Sequence, residues 1–294
     1  MSTDRRSAIK NIVAGTAALS TIGAFANMDA VAQPLQKNMP LKGNINHSAC
    51  RWCYQDIPLD KLCIEGKRIG LSAIDLVGPK EWDTLKAHGI HSSMCNGAEI
   101  NLVDGFNDKQ FHARLIKQYS EMIPLVAKAG YTNLICFSGN KRNKSDEEGW
   151  ANCAEGLKQL MPLAEKHKVV LVMELLNSKL NHQDYQADRT WWGAELCKKV
   201  GSESFKLLYD IYHMQIDEGD VITNIKQYHP YIAHYHTGGV PGRHEIDETQ
   251  ELFYPAIMNA IVATGFKGYV AQEFVPTGDN KLKSLQKCVQ ICDV

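Results

Sequence analysis

The sequence has almost no net charge: 32 lysines and arginines stand against 33 aspartates and glutamates, a formal −1 at pH 7. Proteins that hold polyanions present a basic face, so neither nucleic acid nor an anionic membrane surface is an expected partner. No apolar run is long enough to cross a bilayer; the mildly apolar stretch from Ile12 to Ala26 falls short of a spanning helix. No GxGxxG follows the first apolar run, which argues against a dinucleotide-binding open sheet. Cysteine occurs nine times without forming a framework, since the number is odd and the positions scattered. Cys50-Arg51-Trp52-Cys53 is a lone CxxC with no second pair and no histidine at zinc spacing. Cys136 and Cys197 read as buried free thiols, and a disulfide between nearby cysteines after export stays open. No linker or composition shift marks off a second domain after the first thirty-odd residues.

What is present is ordinary globular material, 44% hydrophobic and 22% charged, enough for one large core. The N-terminus follows different rules. Arg5 and Arg6 precede the Ile12–Ala26 stretch, and Ala30-Val31-Ala32 offers the small residues a signal peptidase needs. Residues 1–32 are therefore expected to be a Tat-type export signal, leaving residues 33–294 as the mature domain. That places the protein in the periplasm or outside the cell, with no membrane span after cleavage, or in the cytoplasm if the N-terminus is not processed. The plainer alternative is a disordered tail.

From about residue 43 short apolar runs alternate with stretches of helical spacing. The runs are Gly43–Ser48, Leu71–Val77, His91–Cys95, Asn133–Ser138, Val169–Glu174, Phe205–Asp210, Tyr231–Thr237 and Tyr269–Phe274. Several are rich in Val, Ile, Leu or Tyr, as buried parallel strands are. Pro79 after Gly78 is expected to open a helix. Ser145-Asp-Glu-Glu148 has the form of a capping box opening another, with Leu157, Leu160, Met161 and Ala164 at helical spacing. Gly201, Gly265 and Gly268 punctuate helix-to-strand turns. Strand then helix, eight times in about 250 residues, predicts an α/β fold, a single (β/α)8 TIM barrel.

In such a barrel the functional end is the C-terminal end of the strands. Each of the last four strands ends in a group able to bind metal: VVLVMELLN at Glu174, FKLLYD at Asp210, YIAHYHTGG at His236 and YVAQEF at Glu273. The intervals are 36, 26 and 37 residues, each about one βα unit. A lone carboxylate at a strand end is most often a solvated loop residue or a helix cap. Four such groups at one relative position of consecutive strands are a far less frequent accident. Two Glu, one Asp and one His make a hard, oxygen-rich donor set, suited to Mn2+ or Mg2+, with Co2+ or Zn2+ as substitutes. His234, two positions before His236, reads as a hydrogen-bonded core histidine.

From about Asn133 to Asp279 the chain resembles the xylose isomerase-like TIM barrels, and within them the hydroxypyruvate isomerase and ketose 3-epimerase branch. The resemblance lies in VMELLN (172–177), YDIYHMQ (209–215), HYHTGGVPGRHEID (234–247) with Tyr254 after it, and AQEF (271–274). It implies one divalent metal ion held by Glu174, Asp210, His236 and Glu273. It further implies proton transfer by Glu174 and Glu273 beside a carbonyl, through an enediolate that the metal stabilises. His213 would hydrogen-bond a substrate oxygen, with a capping or core histidine as its bland alternative. Arg243 would bind a carboxylate or a pair of hydroxyls, against a solvated loop arginine. The implied partner is a small carbohydrate or hydroxy-carbonyl compound, and paired barrels are usual in these families. The third ligand is a histidine, as in the epimerases, whereas hydroxypyruvate isomerases share the PGR segment and tend to carry Gln there.

Two other readings keep the same fold. A secreted lyase acting on 3-keto glycosides would share the first proton abstraction, and product analysis separates it. A non-catalytic carbohydrate-binding barrel predicts loss of a glutamate, and both are present. A related DNA-repair endonuclease needs more histidine ligands and a basic groove, and neither is visible. Trp191-Trp192 reads as packing or an oligomer contact, Lys141 to Lys144 as a solvated loop on the active-site face, and His182 and His244 as loop histidines without a nameable partner.

Overall fold

The structure is a computed structural model and describes residues 40–294; the expected export signal at 1–32 lies outside the described residues. Eight strands follow one another: β1 (Asn46–Cys50), β2 (Ala73–Asp75), β3 (His91–Ser92), β4 (Asn133–Cys136), β5 (Val170–Glu174), β6 (Phe205–Asp210), β7 (Ile232–Thr237) and β8 (Tyr269–Gln272). All pair in parallel, in the order β3-β2-β1-β8-β7-β6-β5-β4. The seam between β3 and β4 is made by Cys95. Its N–H donates to the Asn133 carbonyl at 2.9 Å, and its own carbonyl accepts from Ile135 at 3.0 Å. Helices intervene between the strands, and the whole is the expected TIM barrel.

The strands are apolar because a barrel buries both of their faces, one against the helices and one in the interior. Leu171, Val172 and Met173 of β5 and Leu207, Leu208 and Tyr209 of β6 are fully buried. The strand interior is not wholly apolar, however: Ser48, Asp75, Ser93, His234 and His236 are also buried. Such groups need partners inside the barrel, and that requirement shapes the site.

Local expectations hold in some places and shift in others. The capping box is formed, with Glu148 N donating to Ser145 Oγ at 3.2 Å and Ser145 N to Glu148 Oε2 at 3.2 Å. The helix it opens ends at Lys158, and a second helix, Met161–His167, carries Met161 and Ala164, with Leu160 at its N-cap position. Pro162 in that first turn has no N–H to continue the earlier ladder. Pro79 belongs to a turn closed by Glu81 N on the Gly78 carbonyl, and the helix starts at Trp82. The first strand begins at Asn46 and not at Gly43, whose φ of +80° is incompatible with extended pairing. β3 is only two residues long, with pairing resumed at Cys95.

The loop after β3 is laid against the end of β4 through two glycines. Phe106 N donates to the Phe137 carbonyl at 3.2 Å and Asn107 N to that of Ser138 at 2.8 Å. A Cβ on Gly105 would lie 2.4 Å from Gly139 N and 2.5 Å from the Phe137 oxygen, both backbone atoms that cannot step aside. Gly105→Ala is therefore expected to lower stability by about 1–3 kcal/mol, the usual cost of overpacking, read as a lower urea midpoint at unchanged slope. An unchanged midpoint would show that the loop does not press on β4.

Candidate active site

Barrel register delivers four side chains to one point. Glu174 ends β5, Asp210 ends β6, His236 is the penultimate residue of β7 directly opposite Asp210, and Glu273 follows β8 by one residue. One donor atom from each lies within 4.8 Å of the others, and all four residues are buried. His236 Nδ1 is 2.7 Å from Glu273 Oε2 and 3.3 Å from Glu174 Oε1. Both His236 Nδ1 and Glu174 Oε1 are buried without a hydrogen-bond partner.

Asp210 shows how a strand that ends in Asp-x-x-His accommodates its carboxylate. Oδ1 accepts from Tyr212 N at 2.8 Å and His213 N at 3.3 Å, capping the helix Ile211–Asp217. Oδ2 is left facing the cluster, 3.2 Å from Arg243 Nη2. One residue thus serves as cap and as cluster member.

Positive charge comes mainly from Arg243, in the Val240-Pro241-Gly242-Arg243 segment with its cis Val240–Pro241 bond. Its Nη2 donates to Glu273 Oε2 at 2.5 Å and to Asp210 Oδ2 at 3.2 Å. The guanidinium lies between two rings, 5.3 Å from the centre of Trp52 and 5.4 Å from that of Tyr212. Trp52 also donates its indole N–H to Glu273 Oε1 at 2.7 Å. A solvated loop arginine is thereby excluded.

These contacts push the carboxyl groups apart in acidity. Burial acts to raise Glu273, but Arg243 and His236 outweigh it and hold the group well below the usual carboxylate range. Burial raises Glu174, and the Glu273 charge adds to it. Asp210 is pushed up to about 8, chiefly by burial, with Arg243 opposing and Glu273 reinforcing. Three acidic side chains thus share one guanidinium and one imidazole.

A cavity of about 430 Å³ opens onto the cluster, and Glu174, Glu273, Arg243 and Trp52 line it. Much of the remaining wall is apolar, with Leu102, Ile135, Phe137 and Leu176 among it. His182 lines it too, its ring centre 5.2 Å from that of His213. His213 itself is fully buried: Nδ1 accepts from Asn177 Nδ2 at 2.5 Å, and Nε2, 3.6 Å from Asp210 Oδ2, has no hydrogen-bond partner.

Four side chains belong to the site without standing out in the sequence reading: Asp75, Trp52, His182 and Asn177. Asp75 carried a signal, an acid at the end of an apolar run in LSAIDLV, but it lies inside that run and not at its visible end. It closes β2, and its carboxylate lies 2.9 Å from His236 Nε2 and 2.8 Å from His234 Nε2. His234 is thus buried in the core as expected, but its contact with Asp75 is an ion-pair distance and neither ring nitrogen makes a hydrogen bond. Lys141, Arg142 and Lys144 are not free cations: they pair with Asp188, Asp104 and Asp108. Trp192 is buried and stacks on Trp150, as packing requires. His244 Nδ1 contacts the Val275 carbonyl at 3.1 Å. All nine cysteines are buried free thiols.

Residues 80–288 match the family described as xylose isomerase-like TIM barrel. The chain belongs to that family. Among curated relatives it is 30% identical over 125 residues to a putative hydroxypyruvate isomerase of Homo sapiens, covering 42% of this chain and 45% of that one. It is 35% identical over 108 residues to the 2-oxo-tetronate isomerase of Cupriavidus necator, covering 37% of this chain and 41% of that one. The chain thus spans less than half the length of either relative. Among solved structures it resembles an AP endonuclease, family 2, from Brucella melitensis, with TM-score 0.70 and 19% identity over 82% of this chain and 96% of that one. At that identity the likeness is one of fold.

Arg243 carries a consequence that needs no ligand. Removing it takes the guanidinium from Asp210 and Glu273 and leaves His236 as the cation beside Glu273, and breaking a buried pair from one side costs about 3–5 kcal/mol. Arg243→Ala is expected to melt well below wild type when both are measured in the presence of a chelator. Equal melting temperatures would mean that the arginine does not hold the cluster.

Proposed function

We propose that this protein is a divalent-metal-dependent isomerase or epimerase that moves a proton beside the carbonyl of a small hydroxy-carbonyl or keto-sugar substrate. The observation that carries the reading is the convergence of Glu174, Asp210, His236 and Glu273, with both glutamates also lining the cavity. The curated relatives are named for isomerisation of hydroxypyruvate and 2-oxo-tetronate, which are small oxo acids, and this supports the substrate class.

The residues fit a divalent cation. His236 Nδ1 and Glu174 Oε1 are buried 3.3 Å apart with no hydrogen bond to either, and a buried polar atom left so is costly. Three carboxylates with a single imidazole form the hard set that Mn2+ or Mg2+ prefers. Such an ion, when bound, supplies Lewis acidity that makes a proton beside a carbonyl acidic enough for a carboxylate to remove.

The chain's own groups do the rest. One of Glu174 and Glu273 takes the proton, and the other returns one to the opposite face or the neighbouring carbon. Trp52 fixes the Glu273 carboxylate through Oε1, so that its second oxygen keeps one orientation. Arg243, clamped between Trp52 and Tyr212, presents a guanidinium at the cavity wall for a carboxylate or a pair of hydroxyls. The apolar wall keeps bulk water from competing for the carbanion-like centre.

The test is proton exchange in D2O, with residues 33–294 loaded with Mn2+ or Mg2+, on a panel of hydroxypyruvate, ketoses and 3-keto glycosides. Deuterium is expected beside the carbonyl of at least one compound. Chelation should abolish the exchange, and Glu174→Gln and Glu273→Gln should each slow it by about 100- to 10,000-fold, the usual weight of a general acid or base. Exchange that survives both substitutions would refute the assignment.

A further inference from the structure

Asp75 is fully buried and comes from β2, a strand that supplies none of the four converging groups and is separated from β8 by β1. A carboxylate is rarely placed there without a partner that needs it. Both of its oxygens are engaged. Oδ1 lies in hydrogen-bond contact with His236 Nε2 at 2.9 Å. Oδ2 accepts from Ser93 Oγ at 2.6 Å and lies 2.8 Å from His234 Nε2. Ser93 is in turn 2.6 Å from Ser48 Oγ. The carboxylate cannot turn without breaking one of these contacts.

An ionised carboxylate only accepts hydrogen bonds, so the proton between Asp75 and His236 belongs to Nε2. A neutral imidazole then has its lone pair on Nδ1. That is the nitrogen 2.7 Å from Glu273 Oε2 and 3.3 Å from Glu174 Oε1. We propose that Asp75 is a positioning residue that holds His236 in the Nε2-protonated tautomer and so presents Nδ1 to the metal. Without it the imidazole is free to protonate on Nδ1, which would close that position to a cation. Asp75, His234 and His236 also lie close enough together to be read as a metal site of their own, but the existing His236 and Ser93 hydrogen bonds already occupy both Asp75 oxygens.

The inference rests on the metal-site reading of Glu174, Asp210, His236 and Glu273, and the test separates the two. Metal-free wild type, Asp75→Asn and Ser93→Ala would be titrated with Mn2+ and followed by electron paramagnetic resonance. Asp75→Asn should lose about 10- to 100-fold in affinity, the usual effect of removing a group that orients a ligand. Ser93→Ala loosens Asp75 but leaves the Asp75–His236 contact in place, so it should lose less affinity than Asp75→Asn. In 15N-histidine-labelled wild type loaded with Mg2+, the Nε2 proton of His236 should appear as a strongly downfield imidazole resonance, and it should be lost in Asp75→Asn. Mn2+ binding by Asp75→Asn equal to wild type, or His236 protonated on Nδ1, overturns the proposal alone. The resonance in wild type decides the matter even if Asp75→Asn does not fold. Wild type that takes up no metal overturns the metal site and this inference together.

Discussion

Glu174, Asp210 and Glu273 repel one another inside a space a few ångströms wide, where Arg243 and His236 are the cations set against them. Like charges at this distance are tolerated in a protein interior only when something offsets them. Much of the surrounding structure serves that end. The helix after β6 takes one oxygen of Asp210, the Trp52 indole takes one oxygen of Glu273, and two aromatic faces keep Arg243 in place. Asp75 and His234 extend the same polar network into the barrel interior. What these contacts leave open is a pair of atoms, Glu174 Oε1 and His236 Nδ1, aimed into the same gap.

The fold makes this convergence nearly automatic. Parallel strands in a closed ring point their last residues at one mouth, so neighbouring strands that each end in an acid or a histidine place them side by side. The register pairs Asp210 with His236 and His236 with Ala271, two residues before Glu273. Around the mouth, loops set the cavity's shape, and Gly105 against Gly139 shows how tightly one of them is seated.

That regularity also explains what can be read from the sequence. The strand-end groups Glu174, Asp210, His236 and Glu273 are legible because a repeated unit puts the same chemistry at the same relative place. Asp75 obeys the same rule, but Leu76 and Val77 continue the apolar run past it and hide the end of β2. Trp52, His182 and Asn177 lie beyond strand ends, where chain path and not periodicity decides which side chains meet. His182 reads as a lone loop histidine until the fold sets it against His213 and the cavity. Pro79 and Pro162 illustrate a further difficulty: proline signals the neighbourhood of a helix start, yet only hydrogen-bond closure decides whether it sits in a turn, as at Gly78–Glu81, or in a first turn of helix, as at Met161–His167.

The central claim is that one divalent cation belongs among four named side chains, and diffraction at the manganese absorption edge from crystals grown with Mn2+ tests it most directly. The account predicts a single strong anomalous peak bounded by Glu174, Asp210, His236 Nδ1 and Glu273. Its ligand distances should be about 2.0–2.3 Å, short as befits a hard cation on oxygen and imidazole donors. A peak elsewhere, a peak on His236 Nε2, or none at saturating Mn2+ would contradict it.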